Sequence, residues 1–195
     1  MAFNVLFTCV SNRVRSVFSE YLFPELLAQK DDKYALEIKT FSAGFIPRRT
    51  KDMLTDAGVV FPQPFYNRQI SEITRAVLEE KGIIVPADRR SRELVPKLIE
   101  DADLIITAAI HQKEELLNMY PEAFGKVYTL REAAMWKGYI VYEDVRTVHL
   151  DKTFFQHCEQ DPEYVSQLLC TMEALLKYAC STILRKAGLN DDSLN

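Results

Sequence analysis

The sequence predicts an α/β fold, a parallel sheet carrying helices on both faces. Two patterns point to it. Short apolar runs alternate with amphipathic helical segments along most of the chain, the order that parallel sheets require. The chain has 195 residues, 48% hydrophobic and 27% charged, which suffices to bury a core within one domain. A third observation locates the functional end. In "VLFTCVSNRVRSVFSEYLF", Val5 to Phe23, an apolar strand stops at Cys9, crosses a short polar turn and continues at once as a helix.

Each element follows from its pattern. Phe3 to Thr8 is a short apolar strand, and Ser16 to Gln29 sets Val17, Tyr21, Leu22, Leu26 and Leu27 along one helical face. Leu36 to Phe41 reads as the second strand, ending in Ser42, Ala43 and Gly44, and Thr50 to Ala57 as a helix closed by Gly58. "VVFPQPFYN", Val59 to Asn67, cannot continue a helix through Pro62 and Pro64 and is an extended connection. Helices follow at Ser71 to Lys81 and Ser91 to Asp101, a buried strand at Asp103 to Ala109 and a helix at His111 to Met119. Lys126 to Leu130 is the fourth strand, and Tyr164 to Lys186 is the last and longest helix. The expected organisation is one domain over residues 1–188, with an insertion or lid at about 59–88 and a tail at 189–195.

Charge and cysteine usage narrow the function. A net charge of −4 carries no basic excess and excludes broad nucleic-acid binding and attachment to an acidic membrane surface. No signal peptide or membrane-length apolar run is visible, so a cytoplasmic location is expected. Four cysteines, none between Cys9 and Cys158, fit neither a disulfide framework nor paired zinc ligands, and His111, His149 and His157 are scattered. Neither a metal nor a cofactor is expected.

In an open parallel sheet ligands bind beyond the carboxyl ends of the strands, where Cys9 sits. A strand-to-helix turn there directs backbone N–H groups and the positive end of a helix dipole at one concavity, which suits phosphate. The loop Val10, Ser11, Asn12, Arg13, Val14, Arg15 and Ser16 is the phosphate-binding candidate. A helix N-terminus and a neighbouring guanidinium favour a thiolate, so Cys9 is the candidate nucleophile. Arg15 offers a planar fork for two phosphate oxygens, Ser16 a hydroxyl for the thiolate, and Asn12 a residue that tolerates left-handed backbone geometry and ties the turn. A cysteine at the end of a strand is by itself an ordinary buried side chain, and C-x5-R alone is a weak signal. The strand before it, the helix after it, Asn12 within and Ser16 behind give it weight.

The same residues resemble the phosphate loop of the low-molecular-weight protein tyrosine phosphatases, C-x2-N-x2-R-S between the first strand and the first helix. "FSAG" at Phe41 to Gly44, "RRSRELVPKLIEDADLIITA" at Arg89 to Ala108 and "YPEAFGKVYTLRE" at Tyr120 to Glu132 are similar to later parts of that family, in order. The resemblance implies a four-stranded parallel sheet, a metal-free phosphomonoesterase with a phosphocysteine intermediate on Cys9, and a phosphorylated protein or small aryl phosphate as substrate. It also implies a general acid from an Asp-Pro pair ahead of the last helix.

Three aspartates compete for that role. Asp161-Pro162 matches the dipeptide, but aspartate before proline is also what the first positions of a helix favour, so capping explains the pair without chemistry. Asp144, in "YIVYEDV" beside Tyr139 and Tyr142, is the preferred candidate, although Val145 replaces the proline; Asp151 is a third. An alignment that sets Thr147-Val148 in this place leaves no acid and a non-catalytic phosphate- or phosphopeptide-binding relative. Other departures bear on chemistry. Val14 stands where the family often has a second cysteine, and Arg13 is either a positive charge beside the leaving group, which argues against phosphoarginine and favours an acidic partner, or a residue that points outward. The arsenate reductases of the same fold need relay cysteines. Here Cys158, Cys170 and Cys180 fall in or near the last helix, and the latter two are about 15 Å apart along it. The aromatic residues of 61–66 and 136–142 are candidate walls for a phosphotyrosine ring.

Overall fold

The computed structural model describes residues 2–56, 58, 60–61, 64–134 and 161–189. Four parallel strands form the sheet: β1 (Phe3–Cys9), β2 (Ile38–Gly44), β3 (Leu104–Thr107) and β4 (Val127–Thr129), in the order β2-β1-β3-β4. The helices are α1 (Arg15–Ala28), α2 (Asp32–Glu37), α3 (Arg48–Asp56), α4 (Glu72–Glu80), α5 (Pro96–Asp101), α6 (Ile110–Met119), α7 (Leu130–Ala134) and α8 (Pro162–Lys186). Because side chains alternate across a strand, β1 and β3 feed two cores. Val5, Phe7, Leu104 and Ile106 pack with α1, α4, α7 and α8, whereas Leu6 and Ile105 pack with α5 and α6 on the other face. Helices therefore cover both faces, as the alternating pattern predicts. Among the described residues no helix is long and apolar enough to cross a membrane.

β1 is central, and the chain leaves it toward β2 on one side and returns beside it as β3 on the other. That reversal of direction opens a crevice at the carboxyl end of β1. Cys9 lies opposite Gly44 of β2, and Thr8 opposite Thr107 of β3.

Several boundaries differ from the sequence expectation. The second strand begins at Ile38 and runs on through Gly44, because Asp31 caps a short helix, α2, with its carboxylate accepting from the Lys33 N–H at 2.9 Å. The expected helix Ser91–Asp101 is only Pro96–Asp101. Pro96 takes the first helical position and disfavours helical backbone in Val95, which is extended at φ −118°, ψ 157°. Residues ahead of it are held as a strand-like bridge instead, Glu93 against Gly44. β3 and β4 are shorter than predicted, and α3 starts two residues earlier than Thr50. Past the end of α8 the Leu189 N–H bonds the Leu184 carbonyl at 2.9 Å, with Gly188 at φ +74°.

One local feature of α1 positions the site. Pro24 lies inside the helix and cannot donate to the carbonyl of Glu20. The Thr40 hydroxyl of β2 takes that carbonyl at 2.8 Å, so the helix is fastened to β2 at Glu20.

Candidate active site

The loop of residues 10–14 leaves the sheet tied on both sides. The Phe45 N–H donates to the Cys9 carbonyl at 2.8 Å, and the Ala108 N–H to the Thr8 carbonyl at 2.9 Å. Asn12 takes φ +52°, a left-handed conformation that asparagine accepts more readily than most residues. Its side chain is fully buried and uses its whole hydrogen-bonding capacity. The amide nitrogen donates to Ser16 Oγ at 3.0 Å and Ser42 Oγ at 2.7 Å; the amide oxygen accepts from the Arg92 N–H at 2.9 Å and Arg89 Nη2 at 3.3 Å. A backbone N–H can only donate, so the orientation of this amide is set by Arg92.

Cys9 is 1% exposed, and its Sγ lies 3.0 Å from Ser16 Oγ. Ser16 Oγ also accepts from Asn12 Nδ2, and across the Cys9–Ser16 contact either the thiol or the hydroxyl can donate. Arg15 is 2% exposed at the first position of α1, and no side chain caps that helix at Val14. The first-turn N–H groups of such a helix suit an anion.

Behind the loop lies a charged group. Glu20 accepts from Ser42 Oγ at 2.6 Å, Arg89 Nη2 at 2.8 Å and Arg92 Nη2 at 3.4 Å. A continuous chain thus runs from Cys9 through Ser16, Asn12 and Ser42 to Glu20 and its two arginines. Burial pulls the Arg92 pKa down, against the attraction of Glu20.

A further segment closes over the loop from residues 64–71. Tyr66 donates its hydroxyl to the Val10 carbonyl at 3.1 Å, and the Ser71 N–H donates to the Arg13 carbonyl at 3.0 Å. Arg13 is turned to the same segment, its Nε donating to the Gln69 carbonyl at 2.8 Å. The region expected as an insertion or lid is therefore bonded to the loop at three points. Burial, and then the neighbouring Cys9, push the Tyr66 phenol well above its usual pKa.

Cys9, Ser16 and Asn12 are joined by hydrogen bonds, and Arg15 is buried at the first position of α1. Glu20, Ser42, Tyr66, Arg89 and Arg92 were not named as site residues, although "FSAG" and "RRSREL" contain three of them. Two further arginines beside an acidic helix residue carry no signal until the fold joins them. Asp161 caps α8, its carboxylate accepting from the Tyr164 N–H at 3.0 Å, with Pro162 at the first helical position. Asp144 and Asp151 lie outside the described residues, as do Trp136, Tyr139, Tyr142, His149, His157 and Cys158. Cys170 is exposed and Cys180 buried on α8. Among the described residues no three His, Cys, Asp or Glu side chains form a group able to hold a metal ion.

The family model of low molecular weight phosphotyrosine protein phosphatases matches residues 4–138. No curated protein sequence matches the chain. Among solved structures, a YwlE mutant from Bacillus subtilis is similar with a TM-score of 0.65 at 23% identity, covering 93% of this chain and 99% of that one. YwlE arginine phosphatase from Geobacillus stearothermophilus gives 0.63 at 21% identity, covering 94% of each chain. A low molecular weight protein tyrosine phosphatase from T. tengcongensis gives 0.62 at 21% identity, covering 91% of this chain and 97% of that one. At such identities the structures speak for the fold, while the family match spans more than half of the sequence. The chain belongs to the low molecular weight phosphotyrosine protein phosphatase family, a family of hydrolases.

Proposed function

We propose that the protein is a metal-free phosphomonoesterase, acting on phosphotyrosine in a protein or on a small aryl phosphate, through a phosphocysteine intermediate on Cys9. The observation that carries this reading is Cys9 Sγ at 3.0 Å from Ser16 Oγ at the head of α1, with Arg15 buried in the same turn. The Cys9 thiolate attacks phosphorus in line; an S–P bond forms and the P–O bond to the leaving group breaks. Arg15 and the loop N–H groups hold the equatorial oxygens, the positioning and charge stabilisation on which phosphoryl transfer depends. Asp144 gives its proton to the leaving oxygen, then takes one from the water that breaks the S–P bond and releases inorganic phosphate. Asp161 is committed to the Tyr164 N–H, which supports its reading as a helix cap and leaves the acid to the loop aspartates, of which Asp144 is preferred over Asp151.

A structural neighbour described as an arginine phosphatase, a cysteine-to-serine mutant with a phosphorylated active-site serine, supports a covalent phospho-enzyme at the nucleophile position. Arg13, whose Nε is held by the Gln69 carbonyl at 2.8 Å, adds a positive charge to the loop, and like charge disfavours phosphoarginine relative to an aryl ester. The test is hydrolysis of an aryl phosphate in EDTA. Cys9→Ser should abolish turnover, Asp144→Asn should lower kcat by about 10²- to 10⁴-fold, and Asp161→Asn should leave kcat nearly unchanged. Saturable phosphate binding with no turnover in the wild type would refute the enzyme and leave a phosphate-binding module.

A further inference from the structure

We propose that Tyr66 is a positioning residue of the phosphate loop, holding the Val10–Ser11 peptide so that its N–H is presented to bound phosphate. The inference rests on the phosphate-site reading given above. A trans peptide is planar, with its C=O and N–H pointing in opposite directions. Holding the Val10 carbonyl by the Tyr66 hydroxyl at 3.1 Å therefore also sets the direction of the Ser11 N–H. Without that donor the peptide is free to turn its carbonyl toward the anion, exchanging an attractive contact for a repulsive one.

Three features show that Tyr66 is built into this position and does not merely rest there. The first is Gly44. A Cβ on it would lie 2.3 Å from Tyr66 Cε1 and 2.8 Å from the Val10 oxygen, so the ring occupies space that only glycine leaves, at the junction with the loop. The second is the turn that follows. Asn67 takes φ +62°, its N–H donates to the Ser91 carbonyl at 2.8 Å, and Arg68 N–H donates to Ser91 Oγ at 3.1 Å. This left-handed residue reverses the chain immediately after the tyrosine. The third is the packing around it: Phe65 meets Tyr66 edge-on at 5.0 Å, and Phe61 meets Phe65 at 5.5 Å. Edge-to-face aromatic pairs add rigidity beyond the area they bury. Further along, the same segment accepts from Arg13 at Gln69, so both ends of the loop are bonded to it. Burial beside Cys9 keeps the phenol protonated, hence a donor and not an acid or base, across the working pH range.

The experiment compares wild type with Tyr66→Phe, which keeps the ring against Gly44 and removes the hydroxyl, with its bond to the Val10 carbonyl and its contact with the Ile46 backbone. Two readouts are taken, steady-state hydrolysis of an aryl phosphate and competitive inhibition by inorganic phosphate. The loss of the hydrogen bond to Val10 predicts a rise in the phosphate inhibition constant of roughly three- to tenfold, with a parallel fall in kcat/KM. A merely structural role would lower the active fraction, and so kcat, while leaving the phosphate constant unmoved; that result overturns the inference. So does a variant equal to an active wild type in both readouts. A wild type that neither hydrolyses the ester nor binds phosphate would instead remove the phosphate-site reading itself, and this inference with it.

Discussion

Replacing Glu20 by glutamine tests whether the charged group behind the loop supports it. The change keeps the shape of the side chain but removes the negative charge that lies 2.8 Å from Arg89 Nη2 and 3.4 Å from Arg92 Nη2. The side chains of Glu20 and Arg89 are each 12% exposed, whereas Arg92 is 43% exposed. Breaking a buried pair by removing one partner costs about 3–5 kcal/mol. The more exposed Arg92 contact is screened by solvent and adds little. We expect a loss of about 2–3 kcal/mol, below the fully buried figure because both partners retain some contact with water. At roughly 2–4 °C per kcal/mol for a chain of this size, Tm should fall by about 5–10 °C. The assay is thermal unfolding at neutral pH and low salt, run as a double-mutant cycle with Arg89→Met. Residues in direct contact should couple by about 1 kcal/mol or more. The variant should also lose kcat/KM, since Ser42 and Asn12 relay the position of Glu20 to Ser16. A Tm change below about 2 °C, or strictly additive effects, would show that the ion pairs contribute nothing net.

Two more outcomes follow from particular contacts. Gly44→Ala should destabilise by about 1–3 kcal/mol, as overpacking does, because its Cβ would strike both Tyr66 and the Val10 carbonyl; unchanged Tm and phosphate inhibition would contradict this. Glu173 ties α4 to α8: it lies 2.8 Å from Lys177 and 2.6 Å from Lys81, and its hydrogen bonds from these two lysines hold its carboxyl below the usual range. A depressed folded-state pKa stabilises above the unfolded value and loses that contribution as pH falls through the folded one. Tm should therefore drop more steeply between about pH 5 and 3 in wild type than in Glu173→Gln, and parallel curves would refute it.

The β1–loop–α1 unit is written locally, which is why it is legible. A continuous apolar run, a polar turn holding Asn12, and a helical face restarting within a few residues leave little for distant contacts to alter. The same holds at Asp161-Pro162, where the helix start explains itself and the structure finds the cap. Errors arise where a local preference met a distant partner. Residues 91–95 look helical, yet Glu93 bridges to Gly44 and Ser91 accepts from Asn67, so backbone bonds with other elements hold them extended.

What the sequence determined by itself is thus the fold class and the approach of Ser16 to Cys9 across the turn, because the apolar strand run, helix periodicity and a short strand-to-helix turn are short-range properties. Only the tertiary structure decided what stands behind and above that turn. Glu20 meets Arg89 across 69 residues of chain, Asn12 meets Ser42 across 30, and Tyr66 reaches Val10 across 56. No periodicity encodes such partners. They follow from the parallel order β2-β1-β3-β4, which brings the carboxyl ends of distant strands to one edge, and from a glycine opposite Cys9 that leaves room for an aromatic ring.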